Sequence, residues 1–152
     1  MAWRALTSDD VKSSLTAIEL AAFSAIARQA GGADPMAKAL SRTTGEVRGY
    51  IAGCERNTLG EDGTIPDECI GAASDLAAWY IVTGPGIRLN SDLIEARKEK
   101  KNDAVKFLQR IASCDVKIAQ PITPSADVIP RSEFVRTSGN TRQSTRSKMS
   151  GL

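Results

Sequence analysis

Histidine is absent from the chain. That absence removes the Ser-His-Asp and Cys-His nucleophile arrangements, the commonest general base and the commonest metal ligand. Cysteine is scarce, with Cys54, Cys69 and Cys114 widely spaced and no CxxC pair, which argues against a zinc site. These cysteines read as reduced thiols of a protein made in a cytosol. Cys54 and Cys69 flank a loop and could approach one another, but no bridge is expected. Phosphate cradles of the GxGxxG or GxxxxGK[ST] type are missing. Long apolar runs are missing too. The longest nearly apolar stretch, 76–82, is far too short to span a bilayer, and the N-terminus has no apolar run of signal-peptide length. The acid pairs Asp9-Asp10, Glu61-Asp62 and Asp67-Glu68 fall in loops or first helical turns, where turn chemistry and the helix dipole account for them. The segment Gly60 to Gly63 has the composition of a calcium loop without its alternating ligands. The expectation is a soluble protein without cofactor, metal or membrane span, and not an enzyme.

What is present is helical periodicity. Ser8-Asp9-Asp10 starts a first helix, and the Thr16/Glu19 pair has capping-box spacing, so a break near residue 15 is predicted. Ile18, Ala22 and Ile26, widened by Leu20, Phe23 and Ala27, continue an apolar stripe up to a stop at Gly31-Gly32. Asp34-Pro35 opens the next helix, with a capping acid ahead of a proline at the first helical position. Met36, Leu40, Thr44, Val47, Ile51 and Cys54 follow at spacings of three or four. Gly45, Gly49 and Gly53 share one side of this helix and indicate either close approach of another backbone or simple tolerance. Pro66 opens an Ala-rich helix whose buried face is Ile70, Ala73, Leu76, Ala77, Tyr80 and Ile81. Ser91 caps the last one. Leu93 and Ile94 begin its apolar face, and Ala104, Leu108, Ile111 and Ala112 resume it. Between them the charged stretch 95–103 reads as a solvated face, with Arg97, Lys98, Lys100 and Lys101 alternatively meeting an acidic partner. Trp3 and Leu6 are expected to anchor the lead-in.

The pattern changes after Cys114. Pro121, Pro124 and Pro130 forbid a regular central strand. The segment from Arg136 to Leu152 holds four cations and no acid, leaving −2 for the preceding residues out of a total of +2. The chain thus divides into a helical domain, 1–118, and an extended basic C-terminal arm, 119–152. The arm is too poor in apolar residues to build a core and would obtain its order from partners. The fold class is all-α, a small bundle of about four to five helices.

Several landmarks occur in a telling order: Leu6-Thr7 with Asp10-Val11, Asp34-Pro35, Glu46-Val47-Arg48-Gly49-Tyr50-Ile51, Thr64-Ile65-Pro66, Trp79-Tyr80, 103–108, and Ile111-Ala112. Over roughly residues 3–118 this order resembles the tailed-bacteriophage head–tail adaptor proteins, also called connector or head completion proteins, including the Mu-like prophage group. One departure is Cys114-Asp115, where the family often places a Gly after the last helix; the long arm is another. The resemblance implies a non-enzymatic structural protein of the virion neck, made in the host bacterial cytoplasm and located at the head–tail junction. About twelve neighbouring copies would form a homo-oligomeric ring under the portal protein, extend the DNA channel and offer a docking surface to the next neck or tail protein. On this reading Ile122, Val128, Ile129, Phe134 and Val135 are partner-binding anchors of the arm. Arg131, Arg136, Arg142 and Arg146 would pair with partner acids or line the channel, with non-specific DNA contact. The alternative is a small helical DNA-binding packaging or regulatory protein that uses the basic tail.

Overall fold

The computed structural model describes residues 2–28 and 34–122. Their elements, in chain order, are β1 (Trp3–Ala5), α1 (Ser8–Ser14), α2 (Ala17–Ala27), α3 (Pro35–Gly53), β2 (Thr64–Pro66), α4 (Asp67–Val82) and α5 (Ser91–Ala112). The described residues form a five-helix all-α bundle with one small β ladder. In that ladder Trp3, Arg4 and Ala5 pair antiparallel with Pro66, Ile65 and Thr64. Neither strand was expected, because three residues are too few to show a period of two.

Four of the five described helices begin at a side-chain cap, and α4, which follows Pro66, has none. Thr7, one residue before the expected Ser8, caps α1 and shares a reciprocal capping box with Asp10. Thr16 and Glu19 form a second capping box, which breaks the chain between α1 and α2 as their spacing predicts. Asp34 accepts from Met36 N–H ahead of Pro35. Asn90, rather than Ser91, caps α5 by accepting from Leu93 N–H. α2 ends at Ala27; the expected stop at Gly31-Gly32 lies outside the described residues.

α4 is the hub, packing against α1, α2, α3 and α5. Its alanines and serine make this possible: Cys69, Ala73, Leu76, Ala77 and Ala78 are fully enclosed, with Ser74 close behind. Short side chains on every inward face let four helices approach one slim rod. Val47 and Ile51 of α3, Leu108 and Ile111 of α5, and Val11 of α1 close around it, all fully buried. Each large aliphatic side chain enclosed in this way stabilises the fold by about 1.5–3 kcal/mol relative to exposure. The α3 face differs from expectation in two positions: Ala39 and Thr43 are interior, while Leu40 and Thr44 are only partly buried.

Only one of the three α3 glycines meets another backbone. A Cβ on Gly53 would lie 3.1 Å from Ala112 Cβ, whereas Gly45 and Gly49 face open space. The close approach at Gly53 brings the ends of α3 and α5 together and allows a disulfide between Cys54 and Cys114, with Cα atoms 5.3 Å apart. The expectation of three reduced thiols is therefore corrected, and so is the suggested proximity of Cys54 to Cys69, which is free and buried. The partner of Cys54 lies 60 residues away in sequence, beyond any local signal. Cys114 adopts φ = 66°, the left-handed conformation that ends helices and that Gly adopts most readily. There Asp115 and Val116 N–H groups return to the Arg110 carbonyl.

Candidate interaction surfaces

The charged side chains on inward faces are spent on holding elements together. Glu19 and Arg97 are each only 2% exposed. Arg97 Nε donates to Glu19 Oε1 at 2.9 Å, and Nη2 donates to Glu19 Oε2 and to the Ser14 carbonyl at 3.0 Å. Asp75 lies at the edge of the group, 3.5 Å from Nη1. Burial acts to raise the Glu19 carboxyl above its ordinary value, but the Arg97 and Thr16 hydrogen bonds outweigh it and hold the group below that value. Two expectations are corrected here. The middle of α5 is not wholly solvated, since Arg97 turns inward while Lys98 and Lys100 remain exposed. The α2 stripe is also rotated: Glu19 and Phe23 face the interior, and Ile18 is 61% exposed. An interior carboxylate on α2 fixes which residues of that helix can be core.

The stretch from Glu46 to Ile51 works in the same way. Arg48 Nη1 donates to the carbonyls of Glu61 and Thr64, both at 2.9 Å, and Nη2 reaches the Gly60 carbonyl at 3.3 Å and Asp62 at 3.2 Å. It thereby closes the loop between α3 and β2. Glu46 accepts the Tyr80 hydroxyl proton, while the Arg42 guanidinium lies 3.9 Å from the centre of the Tyr80 ring. Burial, followed by the neighbouring Glu46 carboxylate, raises the Tyr80 hydroxyl above its ordinary value. At the strand end, Arg4 bridges Asp10 and Asp67. Hydrogen bonds from Arg4 and Thr7 hold the Asp10 carboxyl well below the usual carboxylate range.

Two concavities face outward. One, of about 530 Å³, lies among the end of α2, the start of α3 and the 83–87 turn, with Phe23, Ile26, Ala39 and Ile87 in its walls and Lys38 and Arg42 at its rim. The other, of about 400 Å³, is an open groove between α4 and α5. Ala72, Ala104 and Phe107 floor it, and Glu68, Asp75 and Asp103 flank it together with Lys100.

Beyond α5 the chain is pinned at several points. Ile118 is buried. Ala119 N–H donates to Glu68 Oε1 at 3.3 Å, and the Ala119 carbonyl accepts from Trp3 Nε1 at 2.7 Å. Gln120 accepts from Thr58 N–H at 2.8 Å and donates to Asn57. Of the anticipated partner-binding residues, Ile122 alone lies within the described part, and it is 96% exposed. Val128, Ile129, Arg131, Phe134, Val135, Arg136, Arg142 and Arg146 lie outside the described residues. Sequence reasoning missed Glu68 and Trp3 as the pair that holds the root of the arm. A Trp near a chain start together with an acid in a first helical turn was the only signal available.

Among the described residues no helix is long and apolar enough to cross a membrane, and no group of three or more His, Cys, Asp or Glu could hold a metal ion. In comparisons with known proteins, the chain matches no family, no curated protein and no solved structure.

Proposed function

We propose that the protein is a structural assembly module, an adaptor of the tailed-phage neck whose copies form a ring beneath a portal and connect head to tail. The observation that carries this reading is the rooted exit of the C-terminal segment. Residues 118–121 are fixed to the body through Trp3, Glu68, Asn57 and Thr58, and the next residue, Ile122, stands almost fully in solvent. In the proposed assembly the exposed Ile122 is the first apolar residue of the arm offered to a neighbour. The sequence resemblance supplies the identity of the assembly. The all-α bundle agrees with the fold that the resemblance implies.

The test is a truncation after Pro121, which keeps the anchoring contacts and removes the remainder. The truncated protein should retain its helical circular dichroism and its cooperative unfolding. It should fail to form a ring and fail to enter phage particles. Normal incorporation of the truncated protein would refute the assembly role. Tight, strongly salt-dependent DNA binding by the isolated full-length chain would favour the DNA-binding alternative instead.

A further inference from the structure

We infer that the cavity between α2, α3 and the 83–87 turn is a binding site for a small organic anion, a single carboxylate on an aliphatic or aromatic body. The inference makes no use of the adaptor reading, so either can fail without the other.

The first argument is shape. The cavity measures about 530 Å³, within the range of about 300–1,000 Å³ in which small-molecule sites fall. Four segments surround it. α2 supplies Phe23 and Ile26, α3 supplies Ala39, α4 supplies Ile81, and the turn after α4 supplies Ile87. Phe23, Ala39 and Ile81 are buried and form the floor, while Ile26 and Ile87 are half-buried walls. The turn itself is fixed. Thr83 donates to the Trp79 carbonyl through its N–H at 3.0 Å and its hydroxyl at 2.8 Å, and Gly84 N–H donates to the Ile81 carbonyl at 3.0 Å. A Cβ on Gly86 would lie 3.4 Å from Ile26 Cδ1, so the turn packs close to α2. A recess with apolar walls from several fixed elements suits a compact molecule better than an extended chain.

The second argument is charge. Lys38 and Arg42 are exposed, lie one turn apart on the same face of α3 and stand at the rim. Among the described residues neither is paired with a carboxylate, whereas Arg48 on the same helix is paired with Asp62. The one acid in the lining, Asp34, is engaged as the α3 cap, with Oδ1 accepting from Met36 N–H. Arg42 is oriented as well as unpaired. Its guanidinium lies 3.9 Å from the centre of the Tyr80 ring, and the Tyr80 hydroxyl donates to Glu46. A guanidinium stacked on a ring keeps its N–H edge available to a carboxylate. Two cations at the lip of an apolar recess select a ligand with an apolar body and an anionic end. An amphiphile of opposite charge would set its head against Lys38 and Arg42.

The experiment titrates the full-length chain with 8-anilinonaphthalene-1-sulfonate, whose sulfonate stands for the carboxylate, and reads its fluorescence. A parallel titration uses N-phenyl-1-naphthylamine, which has the same rings without the anion. The expected result is saturable binding of the sulfonate at one site, displaced by decanoate and not by decylamine. Lys38→Gln with Arg42→Gln should weaken sulfonate binding by about tenfold and leave the neutral probe unchanged. Unchanged binding of the neutral probe also shows that the cavity has kept its shape in that variant. Lys100→Gln with Lys117→Gln, two exposed cations outside the cavity, should alter neither probe. Four results would each overturn the inference: no saturable binding, equal displacement by decylamine, equal loss of both probes in the Lys38 and Arg42 variant, or the same loss of sulfonate binding in the Lys100 and Lys117 variant.

Discussion

Replacing Arg97 by Met removes the cation that, among the described residues, pairs with Glu19. The guanidinium now supplies two hydrogen bonds to that carboxylate and one to the Ser14 carbonyl. Without it the carboxylate, 2% exposed, keeps only the Thr16 backbone N–H and hydroxyl as donors. Breaking a buried pair by removing one partner costs about 3–5 kcal/mol, and Arg97→Met should fall in that range in urea denaturation at neutral pH. The double variant Glu19→Met with Arg97→Met should recover most of the loss, because an apolar pair of similar length leaves no unpaired charge. A residual deficit of about 1 kcal/mol should remain, since Glu19 also closes the capping box of α2. The pH dependence has a definite sign. In the native protein the Glu19 carboxyl is held below its ordinary value of 4.5, so its contribution is complete above that pH and is lost as pH falls through the lower folded value. In Arg97→Met burial acts without the cation and raises the folded value. The deficit of that variant should therefore be greatest at neutral pH and shrink on acidification. The reasoning is refuted if Arg97→Met costs less than about 1 kcal/mol, or if the double variant loses the sum of the two single losses.

Alkylation under native, non-reducing conditions should modify no cysteine. Cys69 is enclosed and its thiol is pushed up to about 12 by burial and the nearby Glu68 charge, while Cys54 and Cys114 are bonded. Unfolding without reductant should expose one thiol by mass, and three only after reduction; two or three without reductant would contradict the bridge. Cutting a link across 60 residues should cost about 4 kcal/mol by the chain-entropy relation, read as a lower denaturation midpoint for Cys114→Ser. Gly45→Ala and Gly49→Ala should each raise stability by up to about 1 kcal/mol, because both face open space within α3. Gly60→Ala should lower it by about 1–3 kcal/mol, because its Cβ would stand 2.6 Å from the Trp3 ring; equal effects at the three sites would refute the packing argument. Thr43→Val should stabilise by about 1 kcal/mol in thermal unfolding, since the Thr43 hydroxyl is fully buried without a hydrogen-bond partner.

The root of the arm was only half legible in the sequence. The change of character after Cys114 followed from prolines and composition. The clasp formed by Trp3, Glu68 and Ala119 did not, because its members are 116 residues apart at the extremes and none stands in a motif. Ala119, Gln120 and Pro121, which the division at 118 assigns to the arm, make contacts with the body. Side chains outside a regular element carry no periodic signal, so sequence could place the change of character but not the contacts of residues 119–121.

The sequence by itself determined the helices, their starts and the fold class. Caps at Thr16, Asp34 and Pro35 act over three or four residues, and apolar spacing within a helix is likewise local, so both can be read along the chain. Three features were decided only by tertiary structure: the hub position of α4, the pairing of Cys54 with Cys114, and the inward turn of Arg97 toward Glu19. In each, a residue's environment is set by partners distant in sequence. An arginine in a run of lysines looks solvated until the helix bearing its carboxylate is packed against it. A cysteine looks like a small apolar residue until the close approach at Gly53 brings a second one within bonding distance.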